Sequence, residues 1–373
     1  ISFILTGKHS YLNETAEILY DYAHENEGVQ DRVLPYNFTD FFGKVSVVGS
    51  SGSRFNLTAF NYSDNVDYSP IARYEWDAYG AGTSFKIVPG QSKAVINGHL
   101  NYSYYRIDLS EAEEEPRYSS IGGFNLGMNF LYFLENNSEI KYGVDISGFS
   151  TKFEFFNNLG ITIDQNQNTT ELGGFVVYKK VTDKWVFEPS FRLQYYASLG
   201  NVSPEPRLGT KFLATDKLRF KFAGGLYSQN LISSKSDRDV VNLFTGFLSG
   251  PEDRLNTIDG EQSSHKLQKA VHAITGVEYD VNRNLMVSLE PYVKWFTQLI
   301  NLNRNKLLPS DPNYMIEEGR AVGIDLLVRY ETERLYLWTT YSLGQVIRND
   351  GEQVYPPHYD RRHNINLLGS YKF

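Results

Sequence analysis

The stretch from Pro204 to Gln229 sets what this chain can become. Its return arm, Leu218–Tyr227, puts Leu218, Phe220, Phe222 and Leu226 on one side and Arg219, Lys221 and Tyr227 on the other. A period of two marks an extended strand, because successive side chains point to opposite faces. The outgoing arm, Arg207–Ala214, reaches it through Thr215, Asp216 and Lys217, a link short enough for a tight antiparallel turn.

The same unit recurs along the chain. Ile71–Val88 is followed by Lys93–Leu109, where Ala94, Ile96, Leu100, Tyr102 and Tyr104 share a face opposite Asn97, His99, Asn101, Ser103 and Tyr105. Tyr118–Phe133 precedes a strand with Ile140, Tyr142, Val144 and Ile146 on one face, and Thr169–Lys180 precedes Lys184–Tyr196. Lys266–Asp280 pairs with Leu285–Leu299, Gly319–Tyr330 with Leu335–Val346, and Arg362–Phe373 comes last. Shorter pieces at Ile1–Lys8, Tyr36–Val48 and Arg54–Tyr62 bring the reading to about sixteen strands. Helical spacing over Tyr11–Asn26 predicts one helix, decorating a loop. Pro189 and Pro291 interrupt strand patterns and predict bulges or local breaks, since proline lacks the ladder donor.

The connections alternate in length. Short ones fall near residues 51, 91, 136, 182, 216, 282 and 332, with longer ones between them. Strands running up and down, with tight turns at one end and long loops at the other, are the pattern of a membrane barrel. A Greek-key sandwich gives no such regularity, and side chains cannot fill a soluble barrel of that girth. No run of 18 apolar residues offers a spanning helix, but a spanning strand needs only about 9–11 residues with every second one apolar. The predicted fold class is all-β: a transmembrane antiparallel up-and-down barrel in the bacterial outer membrane. Its apolar face meets lipid and its polar face lines a wet lumen. Residues 1–373 form one barrel domain, with 229–264 as the longest extracellular loop.

Composition narrows function by exclusion. The formal net charge of −8 leaves no basic footprint for nucleic acid. With no cysteine there is no disulfide scaffold, thiolate metal site or thiol nucleophile. Aromatics reach 15% and suit pleated surfaces. The seven histidines are scattered, and His265 and His272, seven apart on a strand, would face opposite sides. No Ser-His signature stands out, so neither enzyme activity nor a cofactor is expected. The lumenal ligand candidates are His99, Tyr105, Arg192, Tyr196 and Arg329, each of which could equally fill or brace the wall. Asp360-Arg361-Arg362-His363 reads as a salt-bridged strand entry or an anion site. The acidic residues of Leu231–Ser264 read as a solvated loop or a calcium-ordered one.

Several segments, taken in order, resemble TonB-dependent outer-membrane receptors with a carboxypeptidase-like N-terminal extension. These are Ile1–Tyr11 with Leu34–Val48, Ser203–Gln229, Leu289–Phe296, Glu318–Tyr330 and Tyr355–Tyr371. The resemblance implies a barrel of about 22 strands, with a lumenal plug and a TonB box, neither of which is found here. The chain would then be the central part of that barrel, expected to continue beyond both ends. The implied function is energised uptake of an unidentified substrate. The implied partners are membrane lipid, the TonB machinery through the missing plug, and a surface lipoprotein lid. Gly369–Phe373 also fits a terminal aromatic assembly signal, which would make sixteen strands complete. A passive porin or a structural subunit of a larger outer-membrane complex is the alternative.

Overall fold

The structure is a computed structural model that describes residues 1–12, 15, 18, 36–68, 71–90, 92–111, 114–156, 160–234, 244, 246–303 and 306–373. Most of the helix expected over Tyr11–Asn26 lies outside the described residues.

The strands in chain order are β1 (Ser2–His9), β2 (Tyr36–Val48), β3 (Arg54–Tyr68), β4 (Ala72–Ile87), β5 (Ala94–Glu111), β6 (Glu114–Phe133) and β7 (Glu139–Phe156). Then come β8 (Thr162–Val181), β9 (Trp185–Tyr196), β10 (Asn201–Leu213), β11 (Leu218–Gln229), and two short strands, β12 (Ile232–Ser234) and β13 (Gly246–Leu248). The rest are β14 (Gln268–Asp280), β15 (Leu285–Leu302), β16 (Tyr314–Glu331), β17 (Leu335–Asn349), the two-residue β18 (Val354–Tyr355) and β19 (His363–Tyr371). Seventeen strands form one sheet in which sequence neighbours pair antiparallel, while β12 and β13 form a separate hairpin. Apart from β18, the main sheet has the strands that the alternation predicts. Among the described residues β1 and β19 do not pair with each other, so the sheet is unclosed, and every residue of both strands is exposed.

The outward face carries the predicted apolar set. Phe220 is 43% exposed and Trp185 48% exposed, so neither enters a dry interior. Phe130 is half-buried against its cross-strand partner Tyr142, ring centroids 5.3 Å apart. The inward face of β10, β11, β14 and β15 carries an ion-pair lattice. Glu278 lies 3.2 Å from Lys221 and 3.5 Å from Lys211, and Arg219 reaches Asp280 at 2.7 Å.

Several strands run further toward the long-loop end than the alternation reaches: β3 to Tyr68, β8 from Thr162 and β16 from Tyr314. Beyond the lipid the outward face has no reason to stay apolar, yet backbone pairing continues. In β5 the apolar residues change sides without any register slip, from Ile96, Leu100 and Tyr102 to Ile107 and Leu109. In β7 they change from Tyr142 and Val144 to Phe149 and Phe153. The upper apolar set faces inward and packs on the β12–β13 hairpin. Ile107, Leu109, Phe153, Ile163, Ile300 and Leu302 form one buried cluster with Ile232, Phe244 and Leu248.

Each strand proline breaks one ladder and leaves the other whole. The β8–β9 pairing skips from Val177↔Ser190 to Lys180↔Phe187 around Pro189, and β14–β15 skips from Ile274↔Tyr292 to Val277↔Leu289 around Pro291. The register is the same on both sides of each gap, so these are local breaks and not bulges.

Candidate functional site

The lumen is built by two devices, a pinned hairpin at the long-loop end and a polar belt below it. The connection after β11 was expected as either a solvated or a calcium-ordered loop. Its described part instead folds inward. β12 packs near β15, while β13 packs against β6 and β7. The pin is Ser249, whose hydroxyl stands 3.0 Å from both the Thr151 and Thr169 hydroxyls. The Gln165 side-chain amide bonds the Ser249 backbone twice: Nε2 donates to the carbonyl at 2.9 Å and Oε1 accepts from N–H at 2.8 Å. Phe247 N–H donates to Ser119 Oγ at 2.9 Å, and Gly250 N–H to Asn230 Oδ1 at 2.9 Å. A planar amide thus stands in for the strand that the hairpin lacks.

The belt starts from the sequence Ser203-Pro204-Glu205-Pro206-Arg207. β10 pairs with β9 from Asn201 onward but with β11 only from Arg207. The prolines supply no donor on that side, so the upper residues of β11 lose a backbone partner. Glu205 replaces it: Oε1 accepts from Ser228 N–H at 3.0 Å and from the Ser228 hydroxyl at 2.6 Å. Arg207 Nη2 donates to Glu205 Oε2 at 2.6 Å, and its guanidinium lies 4.4 Å from the Tyr227 ring centroid. The slit opens into a pocket of about 350 Å³ whose lining includes Glu171, Arg192, Tyr196, Glu205, Arg207 and Asn230.

The sequence candidates distribute as follows. Arg192 and Tyr196 line this pocket. Arg192 Nε donates to Gln194 Oε1 at 2.9 Å and Nη1 pairs with Asp145 at 3.4 Å, while the Tyr196 hydroxyl lies 3.0 Å from Ser228 Oγ. His99 bonds Asn125 across the strand. It also approaches Asp145 over Gly127, where an added Cβ would stand 2.3 Å from the imidazole and 2.7 Å from the carboxylate. Tyr105 is set apart from the belt, its ring edge-on to Phe247 of the hairpin at 5.6 Å. Arg329 lies at the short-turn end, in a groove with Lys217, Asp280 and Asn282.

Sequence reading missed Glu171, Gln194, Glu205, Arg207, Ser228 and Asn230. The parity that selected Arg192 also selects Gln194, and two prolines two apart on one strand mark where a neighbour must find side-chain partners. His265 lies in the connection before β14 and not on the strand with His272. Asp360 accepts from Val346 N–H at 2.8 Å and pairs with Arg362 at 2.7 Å, a braced strand entry.

Architecture and lumen together define one wall of an antiparallel up-and-down barrel, apolar outward and polar inward. The FrpB iron transporter from Neisseria meningitidis is similar at a TM-score of 0.65 and 11% identity, over 93% of this chain and 59% of that one. The siderophore receptor PirA from Pseudomonas aeruginosa is similar at 0.59 and 10%, over 91% and 65%. The alcaligin outer-membrane receptor FauA from Bordetella pertussis is similar at 0.62 and 11%, over 91% and 57%. At these identities the likeness is one of fold, and the chain spans less than two thirds of each receptor's length. By sequence, no family profile and no curated protein matches the chain.

Proposed function

We propose that this chain is the central wall of an outer-membrane, TonB-dependent transporter that takes up its substrate through the lumen. The observation that carries the reading is the two-sided sheet. It is apolar outward, polar inward and unclosed between β1 and β19, and it superposes on part of the receptor barrels above. An open sheet edge has no place in lipid, so further strands complete the wall. The finer parts of the reading are a carboxypeptidase-like N-terminal extension, a plug that engages TonB, a surface lipoprotein lid, and residues 229–264 on the extracellular side. His99, Arg192 and Tyr196 act on the lumenal path. Tyr105 acts through the hairpin, and Arg329 lines the short-turn exit.

The test is uptake in cells carrying or lacking the protein, with and without a protonophore. Protein-dependent accumulation that the protonophore abolishes is the expected result. Accumulation that persists without the proton gradient would instead identify a passive pore.

A further inference from the structure

We infer that the slit opened by Pro204 and Pro206 is a lateral port, through which a single-chain amphiphile of the outer leaflet, a monoacyl lipid, passes from the bilayer into the lumenal pocket. The inference rests on the wall's place in the outer membrane and goes beyond energised uptake.

Height comes first. The outward residues of β10 are apolar but for Thr210, from Phe212, its ring centroid 4.5 Å from that of Trp185, up to Val202. That run spans about 33 Å of strand and about 25 Å of height at the usual tilt, the full apolar band of such a barrel. Val202, Pro204 and Pro206 are exposed and alternate with buried Ser203 and Glu205. Leu193, Tyr195 and Leu226, also exposed, flank them. The two prolines therefore stand in lipid, in the half of the band nearer the long loops. Continuing the register from Arg207↔Gly225 sets Pro206 opposite Leu226 and Pro204 opposite Ser228. Neither proline offers a donor across that gap, and a broken ladder at this depth is out of place in a sealed wall.

Side chains close the slit. Glu205 is 3% exposed and holds Ser228 with one oxygen and Arg207 with the other. An ionisable group at membrane depth marks a functional site by default. Those bonds can part without unpairing a strand, because β10 keeps β9 from Asn201 to Phe212 and β11 keeps β14 from Leu218 to Gln229. At the inner end the pocket offers Phe149, Tyr196 and Leu231 to an acyl chain. It also holds two buried nitrogens without a partner among the described residues, Asn230 Nδ2 and Arg207 Nε. Buried donors without acceptors are uncommon in folded proteins, and the ester oxygens of a monoacyl lipid supply them. A water-borne solute meets the same donors from the lumen and has no use for a gap that faces lipid.

The experiment is photo-cross-linking in proteoliposomes of the protein purified from outer membranes. The probe is a monoacylglycerol of palmitic acid with a terminal diazirine, and labelled peptides are located by mass spectrometry. Pro204→Val with Pro206→Val returns both missing donors and is expected to zip the slit, read as slow amide exchange at the two positions and an unlowered Tm. Pro204→Ala with Pro206→Ala returns the same donors with smaller side chains, should the first pair not assemble. The expected result is label on Phe149, Tyr196 or Leu231 in the natural protein. It falls roughly fivefold or more in the zipped variant, while label on the outward Phe220 is unchanged. Absence of lumenal label would overturn the proposal. So would lumenal label that survives zipping, because the probe then enters through the mouth of the lumen. Fast exchange at positions 204 and 206 in both variants would overturn it as well, since the prolines would then not be what opens the wall.

Discussion

At the scale of the residue, this wall is held by side chains that serve several neighbours at once. Glu278 faces Lys211, Arg219 and Lys221, so its loss leaves like charges crowded on the lumenal face. The side chain is 18% exposed, which limits solvent screening. Glu278→Gln is expected to destabilise the barrel by about 1–3 kcal/mol, measured as a lower Tm in detergent, and less so at high salt. The outward face answers to lipid instead. Phe222→Arg is expected to cost up to about 2–4 kcal/mol near mid-bilayer, read as reduced membrane yield beside an unaffected Phe222→Leu control. The alternation was legible in the sequence: period-two parity put His99, Arg192 and Tyr196 on the polar face, and Arg192 and Tyr196 line one pocket. What parity cannot show is partnership. That Asp145 serves Arg192, or that Glu205 takes the Ser228 amide, depends on strand register, which one chain's alternation does not encode.

At the scale of the element, the hairpin after β11 shows where sequence reading ended. The connection was located by length, but its inward fold was hidden because its partners lie on β6, β7 and β8. A signal existed in the change of apolar side within β5 and β7, since lumenal residues turn apolar only where something dry covers them. The pin is testable directly, because the chain has no cysteine. Thr169→Cys with Ser249→Cys replaces two hydroxyls 3.0 Å apart. The pair is expected to form a disulfide, seen as a mobility shift without reductant, and to reduce uptake until reductant is added. At the hairpin's base, burial followed by the charges of Lys269 and Arg254 holds the His265 imidazole below its ordinary pKa. A depressed histidine stabilises the fold above the unfolded value near 6.5, and that contribution is lost as pH falls through and below it. The protection factor of the Leu267 amide, whose N–H donates to His265 Nδ1 at 3.4 Å, is therefore expected to fall on acidification, once the slower intrinsic exchange at lower pH is divided out. His265→Gln is expected to flatten that response.

At the scale of the whole molecule, the alternation of short and long connections announced the architecture before any coordinate. Bilayer physics allows few ways to arrange that many amphipathic strands. Closure was not legible in the same way. It depends on what meets β1 and β19, whose exposed backbone edges are templates for further pairing. If the wall is completed by added strands, co-expression with the flanking sequence is expected to yield a heat-resistant barrel on unheated gels. Residues 1–373 alone are expected to yield only aggregated or detergent-dependent sheet.

The strands differ greatly in height: β8 has 20 residues and its neighbour β9 only 12. At about 3.3 Å per residue and with the usual barrel tilt, the rim drops by roughly 20 Å between them. The long-loop rim is therefore a cliff on one flank and a low ledge on the other. The Pro204–Arg207 slit sits on the low side of that step, so the hairpin and the slit lie at different heights around the circumference.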